Sequence, residues 1–226
     1  MEKLIIAGKG VNAKRALEFI NRHKLFEVMG FAVNKEYLDS DEFCGLPVYD
    51  LANLTEIIKT PFKVFVAVYW NHLNSDRRKM FELCEKQGYE FASLISPLAN
   101  IFDTVKIGKN CWIFDLVTLN SEVEIADNTY LLPYTFIGAN TKVDSHCFLS
   151  VRTLLGGGSY IGKQSFLGFN AVMLDCTTIG EKCIVSASAL VKRNMPSFSR
   201  WTTDGKLKQY SPKEIEEKLV AAKNVR

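Results

Sequence analysis

The residues best suited to acid–base chemistry are three histidines in different surroundings. His72 follows an apolar run at 63–69 that predicts a buried strand, and parallel sheets bind ligands at the carboxyl ends of their strands. His146 lies in a polar turn next to Cys147, where it could act as a catalytic base or be an exposed turn residue. His23 lies at the predicted end of a helix. Because a zinc site needs ligands that converge on one ion, we expect these scattered histidines to hold no metal.

A second candidate is the short glycine motif Gly8-Lys9-Gly10. It follows one predicted strand and opens a helix, so its amides could hold a phosphate at the helix N-terminus. The next strand ends in Asn34 and not in the acidic residue that holds the ribose of NAD. A nucleotide-sugar pocket, NAD binding and a purely structural loop all remain open, and we favour the first. The residues expected to contact this substrate are Gly8, Lys9, Gly10, Asn34, Trp70 and His72.

Charge and hydropathy narrow the function classes. Lys and Arg number 28 and Asp and Glu number 25, and the net charge of +3 is too small to indicate nucleic-acid binding. No apolar stretch approaches the roughly 18 residues of a membrane span, so we expect no membrane insertion. The N-terminus runs directly into a strand pattern without a signal peptide, which favours a cytoplasmic location.

The first part of the chain, residues 1–96, has an α/β pattern. Strands alternating with helices predict a parallel sheet, and we interpret this part as a small Rossmann-like domain. The predicted strands lie at 3–6, 28–33, 63–69 and 91–95, and the predicted helices at 12–21, 51–59 and 73–87.

The second part, residues 97–196, has an aliphatic residue or methionine at every sixth position from Ile101 to Val191. A period of six fits neither a helix nor ordinary strand alternation, and it is typical of a hexapeptide-repeat β-helix. Three repeats form a coil of 18 residues, which gives about five coils. The sixteen positions are Ile101, Ile107, Ile113, Leu119, Ile125, Leu131, Ile137, Val143, Leu149, Leu155, Ile161, Leu167, Met173, Ile179, Val185 and Val191.

The period also assigns roles to cysteines. Cys111, Cys147 and Cys183 occupy an inward position that they share with several Thr, Ser and Ala residues. Because a reduced cysteine behaves as a small apolar residue, we expect these three to pack inside the coils. Cys44, Cys84 and Cys176 lack the CxxC spacing of a zinc site.

Aromatic residues follow the same period on the outside. Trp112, Tyr130, Phe148 and Phe166 lie one coil apart and should stack along one face. An exposed stripe of this kind usually marks an interface, so we expect it to join the subunits of a homotrimer; cover by the C-terminal helix is the alternative. That helix belongs to the last part, residues 197–226. It is predicted to begin at a capping box at 211–214, to extend to about Ala222 and to cover the open end of the coil.

The whole chain resembles the sugar O-acyltransferases of the sialic-acid O-acetyltransferase type, which include nucleotide-amino-sugar N-acetyltransferases. The similarity is most specific at 158–171, 178–185 and 191–196, and weaker segments lie at 4–10, 43–48 and 73–74. The resemblance implies a left-handed β-helix and a homotrimer with active sites between subunits. It also implies that residues 1–96 bind a nucleotide-linked sugar, which receives an acyl group from acyl-CoA, with acetyl-CoA favoured. It places CoA near Gly157, Gly158, Gly168 and Asn170.

The chain departs from this family where the family carries its histidines. The position of the usual catalytic histidine is Ala139, and the polar residue that follows it in the family falls at Asn140. Two further family histidines fall at Phe148 and Arg152, and the usual closing segment is replaced by residues 200–206.

Loss of this base favours N-acylation over O-acylation. A hydroxyl must lose its proton as it attacks, and a base then contributes about 10²–10⁴-fold, whereas a neutral amine attacks with its own lone pair. We expect Asn140 to orient the amine, Arg152 to hold a phosphate or carboxylate, and Asn140 and His146 to be the candidate catalytic residues. A catalytically inactive or repurposed trimeric sugar-nucleotide-binding homologue is the alternative.

Overall fold

The computed structural model describes residues 1–218, so the predicted extension of the last helix to Ala222 lies outside the described residues. The chain forms two compact units. The first comprises Met1–Tyr69 and Asp76–Leu94, and the second comprises Trp70–Ser75 and the residues from Ile95 onward. The sequence pattern did not predict that Trp70–Ser75 belongs to the second unit. The three-part division at residues 96 and 196 stays a prediction.

The first unit contains a five-stranded sheet in the order β3-β4-β2-β1-β5. Four strands are parallel, as the strand–helix alternation predicts, and only β3 runs antiparallel, to β4. Strands β1 and β5 are almost entirely buried, which explains their continuous apolar sequences. The elements in chain order are β1 (Lys3–Ala7), α1 (Val11–His23), β2 (Glu27–Val33), a 3₁₀ turn (Lys35–Tyr37), β3 (Glu42–Phe43), β4 (Leu46–Asp50), a 3₁₀ turn (Leu51–Asn53), α2 (Leu54–Ile57), β5 (Lys63–Val66) and α3 (Ser75–Lys86).

Four predicted elements of this part are shorter than expected. The helix predicted at 51–59 is α-helical only over Leu54–Ile57, and the strand predicted at 63–69 ends at Val66. The helix predicted at 73–87 begins only at Ser75, because His72, Leu73 and Asn74 have left-handed backbone conformations. The strand predicted at 91–95 is reduced to Leu94–Ile95, since Phe91 forms only an isolated bridge to Val64.

The second unit is a parallel β-helix, as the period predicts. Each short strand pairs with the strand 18 residues later, so that Ile137 lies beside Leu155 and Leu155 beside Met173. The left-handed sense of the coil stays a prediction. The strands are β6 (Leu94–Ile95), β7 (Asn100–Ile101), β8 (Lys106–Ile107), β9 (Trp112–Ile113), β10 (Thr118–Leu119), β11 (Glu124–Ile125), β12 (Tyr130–Leu131), β13 (Phe136–Ile137), β14 (Lys142–Val143), β15 (Phe148–Leu149), β16 (Leu154–Leu155), β17 (Tyr160–Ile161), β18 (Phe166–Leu167), β19 (Val172–Met173), β20 (Thr178–Ile179), β21 (Ile184–Val185) and β22 (Leu190–Val191).

The core of the β-helix is the sixfold ladder itself. Its side chains are buried from Ile113 to Val191, and only Ile101 and Ile107 at the first coil are partly exposed. Successive strands define three outer faces. We name the aromatic face by Trp112, Tyr130, Phe148, Phe166 and Ile184, the charged face by Lys106, Glu124, Lys142, Tyr160 and Thr178, and the apolar face by Thr118, Phe136, Leu154, Val172 and Leu190.

The chain leaves the β-helix through a hairpin and a short helix. Strand β23 (Ser199–Trp201) pairs in parallel with β21 and antiparallel with β24 (Leu207–Gln209). Helix α4 (Pro212–Glu217) has the predicted capping box, with both bonds between Ser211 and Glu214 present. The expectation that this helix covers the open end of the coil is wrong, because its buried Ile215 packs against Leu73 and Ile184 at the aromatic face.

The three cysteines predicted to pack inside the coils, Cys111, Cys147 and Cys183, are fully buried. Cys84 is also buried, and burial raises the pKa of its thiol to about 12. Cys44 and Cys176 are exposed.

We expect only Cys44 and Cys176 to react when the native protein is titrated with a thiol reagent near pH 8. The other thiols are shielded, and a raised pKa keeps the Cys84 thiol in its unreactive neutral form at that pH. Repeating the titration in denaturant should detect all six cysteines. Rapid reaction of a third thiol in the native protein would contradict the packing described above.

Candidate nucleotide cleft and coil edges

An open cleft of about 530 Å³ lies in the first unit, where β1 and β2 end. Three of the residues predicted to contact a nucleotide sugar, Gly8, Lys9 and Asn34, line this cleft. Gly10 lies just beyond them as the N-cap of α1, which has no side-chain cap and no acidic residue in its first turn. The unopposed positive end of a 13-residue helix suits an anion such as a phosphate.

The cleft is lined by side chains of both charge signs. The Lys9 ammonium contacts the Asp39 carboxylate and donates to Ser40 Oγ at 3.1 Å. This ammonium holds the pKa of Asp39 below its usual range. The Gly8 amide already donates to the Ala32 carbonyl oxygen at 2.8 Å. The Gly8 amide is therefore already engaged within the sheet. The predicted phosphate contact is left to the amides that follow Gly8 at the start of α1.

Trp70 lies elsewhere, in the second unit. Its ring centroid is 5.2 Å from that of Phe166 and 6.4 Å from that of Phe148, so it packs on the aromatic face. His72 is exposed and, like Trp70, is not among the residues that line the described cleft. Only part of the predicted substrate-binding set is thus brought together.

The segment Trp70–Ser75 contains three consecutive left-handed residues, with φ of 49° at His72, 52° at Leu73 and 64° at Asn74. This conformation costs about 1–2 kcal/mol for each residue that is not glycine. Burial of Leu73 against Phe166, Ile184 and Ile215 offsets part of that cost.

A buried glutamine of the β-helix holds the same segment. The Gln164 side chain donates from Nε2 to the Leu73 carbonyl oxygen at 3.0 Å and to Ser75 Oγ at 2.9 Å. The nearby Asn74 is also fully buried, and its Nδ2 donates to the Ser165 carbonyl oxygen at 3.5 Å.

The aromatic face stacks as predicted, but its proposed role was wrong. Phe148 and Phe166 are nearly parallel, with ring centroids 5.4 Å apart. Trp112, Tyr130 and Phe148 are buried within the single chain, at 1%, 1% and 3% exposure. Since Trp70 covers Phe148 and Phe166, this stripe is not an open surface for another subunit.

His146 is buried, which corrects its interpretation as an exposed turn residue. Its backbone has a left-handed conformation at a corner of the coil, and residues at the equivalent corner of successive coils, 18 positions apart, form a column. The Asn110 Nδ2 donates to Asn128 Oδ1 at 2.8 Å, and the Asn128 Nδ2 lies 2.8 Å from His146 Nδ1. The imidazole is therefore part of a buried polar column.

A second edge of the coil carries Ala139, where the family histidine is absent. The glycine run 156–158 stacks on this corner one coil later, because the Gly158 amide donates to the Ala139 carbonyl oxygen at 2.8 Å. The Gly157 amide donates to Asp175 Oδ1 at 2.6 Å. Both glycine amides are thus used by the coil, and Asn140 lies exposed beside them.

The third edge carries the other predicted CoA contacts. A groove of about 510 Å³ includes Asn170 and Arg152 along its length. It also includes Phe169, whose side chain is 60% exposed and could stack on a planar ring. Gly168 lies next to the groove, where a Cβ would come within 2.6 Å of the Ala187 amide nitrogen, so the stacking of the coils requires glycine there.

Sequence reasoning missed three polar or aromatic residues at these sites. Asp39 lies in an irregular loop with no periodic signal. Phe169 and Asp175 occupy outward corner positions of the six-residue period, so the period could have predicted where they lie on the coil. The period does not predict which groups their side chains contact.

Within residues 1–218, no group of three or more His, Cys, Asp or Glu side chains is placed to hold a metal ion. Over the same residues, no helix is both long and apolar enough to cross a membrane.

No protein-family model and no curated protein matches the chain. Solved structures do match. A mutant of perosamine N-acetyltransferase from Caulobacter crescentus, in complex with CoA and GDP-perosamine, is 24% identical with a TM-score of 0.82, over 93% of this chain and 98% of that chain. The acetyltransferase domain of PglB from Neisseria gonorrhoeae is 21% identical with a TM-score of 0.78, over 93% of this chain and 100% of that chain. WeeI from Acinetobacter baumannii is 18% identical with a TM-score of 0.77, over 92% of this chain and 100% of that chain.

The chain has the fold of the hexapeptide-repeat sugar acyltransferases. The resemblance stated from the sequence is confirmed at the level of fold, and the roles of individual residues stay predictions.

We expect Gln164→Ala to loosen the left-handed segment. The change removes the donor to two groups of a buried segment, which costs about 1–3 kcal/mol. Amide hydrogen exchange at 70–75 should accelerate, and the free energy of unfolding should fall.

Gln209→Ala is the matched control, because Gln209 is exposed and its side chain donates to the Ser197 carbonyl oxygen, away from the segment. Exchange at 70–75 should be unchanged in this variant. Equal exchange in both variants would show that Gln164 does not hold the segment.

Proposed function

We propose that the protein is an acyl-CoA-dependent acyltransferase that N-acylates a nucleotide-linked amino sugar. The observation that carries this proposal is the match over 93% of the chain to an N-acetyltransferase structure that contains CoA and GDP-perosamine. A matched fold alone does not fix a reaction, so the residues of the two units supply the rest of the argument.

The first unit is proposed to bind the nucleotide as a Rossmann-like domain. Lys9 and the N-terminus of α1 would hold the diphosphate, with Gly8, Gly10 and Asn34 beside it. Binding of a phosphate at Lys9 must compete with the Asp39 carboxylate that now contacts it.

The coil edges are proposed to bind acyl-CoA, favoured as acetyl-CoA. Gly157 and Gly158 lie on the Ala139 edge, whereas Gly168 and Asn170 lie on the Arg152 edge. We propose that the site lies between neighbouring copies of the chain, with one set from each copy, in a homotrimer.

The apolar face is the surface that we propose joins these copies. Phe136, Leu154 and Leu190 on this face are about 40% exposed and lie in register on paired strands. A contiguous exposed apolar surface of this kind usually marks an interface. The charged face, where Glu124 pairs with Lys106 and Lys142, is a poorer candidate.

N-acylation is favoured because Ala139 supplies no imidazole. A sugar amine in its neutral form carries the electron pair that attacks the thioester, and the site then needs chiefly to orient the two reactants.

Both proposed substrates are intracellular metabolites, so we place the reaction in the cytoplasm, in the synthesis of a surface polysaccharide or glycan.

A second candidate is a catalytically inactive or repurposed trimeric sugar-nucleotide-binding homologue. The same Ala139 favours it, because the side chain at the expected catalytic position cannot transfer a proton.

We expect the protein to release free CoA from acetyl-CoA in the presence of a nucleotide-linked amino sugar, and not with the corresponding hydroxyl sugar. The assay measures free thiol for a panel of GDP-, UDP- and dTDP-linked amino sugars. Absence of thiol release with every amine, together with nucleotide binding in calorimetry, would favour the binding homologue.

The same calorimetry tests the cleft. Lys9→Met should weaken nucleoside diphosphate binding because it removes the ammonium at the mouth of the cleft. Lys14→Met, an exposed change in α1, should leave binding unchanged.

We expect light scattering to give three times the 25.5 kDa mass of the chain for the wild type and a smaller mass for Leu154→Glu. A carboxylate on the apolar face would be buried without a partner when the copies assemble. Leu38→Glu, at another exposed leucine, should stay trimeric. A monomeric wild type or a trimeric Leu154→Glu would refute the proposed interface.

A further inference from the structure

Three residues occupy the same corner position on successive coils of the Ala139 edge. They are Ala139, Gly157 and Asp175, each 18 residues after the one before. The Asp175 side chain turns back along this column, and its Oδ1 accepts a hydrogen bond from the Gly157 amide at 2.6 Å. The carboxylate is therefore held next to the corner that lacks the histidine.

Gly157 lies closely between these two neighbours. A Cβ on Gly157 would lie 3.1 Å from the Ala139 carbonyl oxygen, which is tighter than an ordinary van der Waals contact, and 3.8 Å from Asp175 Oδ1. Because glycine has no side chain, nothing at position 157 covers the carboxylate on the side of the Ala139 corner.

The coil constrains the two flanking glycines more strongly than it constrains Gly157. Gly156 lacks room for a Cβ, which would come within 2.4 Å of the Asp175 amide nitrogen. Gly158 has a left-handed φ of 65°, whereas Gly157 does not. The backbone conformation at Gly157 thus does not require glycine, and only the tight approach of a Cβ to the Ala139 carbonyl oxygen disfavours a side chain there.

The hydrogen bond alone is a common feature of this coil. Asp127 makes the same contact at the His146 edge, where its Oδ1 accepts from the Lys109 amide at 2.7 Å. What distinguishes Asp175 is its place. It is exposed on the edge where the family carries its base, beside residues too small to cover it.

We propose that the Asp175 carboxylate is the proton acceptor for acyl transfer to the sugar amine. This inference rests on the proposed N-acyltransferase function. The amine nitrogen attacks the thioester carbonyl, a C–N bond forms, and the carbonyl electrons move to oxygen. Asp175 takes the extra proton from the nitrogen, the C–S bond then breaks, and the CoA thiolate leaves and recovers that proton. The products are the amide and CoA.

The Oδ1–Gly157 bond gives the carboxylate one fixed orientation in this step. It engages one oxygen and leaves Oδ2 to accept the proton. A preorganised acceptor needs little rearrangement as charge develops on the nitrogen.

The test compares Asp175→Asn with Asp127→Asn in the full-length protein. An asparagine oxygen can still accept from the backbone amide, so each variant keeps its coil contact but loses the carboxylate base. For Asp175→Asn we expect kcat to fall by about 10²–10⁴-fold with little change in KM. For Asp127→Asn we expect kcat to match the wild type, and the melting temperatures of the two variants should be similar.

Chemical rescue separates a proton acceptor from a structural residue. In Asp175→Ala, formate should restore kcat in proportion to its concentration, and in Asp127→Ala it should have no effect. An active wild type whose kcat survives Asp175→Asn would overturn the role of Asp175 and leave the proposed function standing. A wild type that releases no CoA with any amino sugar would remove the proposed function, and the inference with it.

Discussion

The pairing of each strand with the strand 18 residues later is the interaction on which the second unit depends. It repeats the same inward aliphatic position from Ile113 to Val191 and brings equivalent corners of successive coils into line. Strand pairing in a parallel sheet tolerates no slip without turning core side chains outward. A residue's number therefore fixes its face and its neighbours, and every candidate site on the coil inherits its geometry from this register.

This register also constrains the chemistry. It places Ala139, Gly157 and Asp175 in one column, and it places Arg152 and Asn170 on another edge. Such rigid columns hold functional groups more accurately than loops do. The same rigidity keeps the two edges at a fixed separation within a single copy, which is why the CoA site is proposed to lie between copies.

The predictions that succeeded were those that depend on a local repeat. The ladder, the coil length and the buried positions of Cys111, Cys147 and Cys183 all follow from one period. The errors came from contacts between residues far apart in sequence. No local pattern indicates that Trp70 covers Phe166. Nor does any local pattern predict left-handed conformations at 72–74, where there is no glycine, because that segment is stabilised by burial against the β-helix. The same limit applies to the cleft. The strand–helix pattern predicted that Gly8, Lys9 and Asn34 lie near one another, but it could not show that Asp39 contacts Lys9 from an irregular loop.

At the coil edge the sequence revealed a missing base without revealing what stands nearby. A carboxylate is a weaker base than an imidazole, with ordinary pKa values of about 4 and 6.5 respectively. It is poorly matched to a sugar hydroxyl, yet it suffices for the acidic proton of an amine that has already attacked a thioester. A carboxylate in place of the imidazole would therefore allow acyl transfer to an amine and disfavour transfer to a hydroxyl.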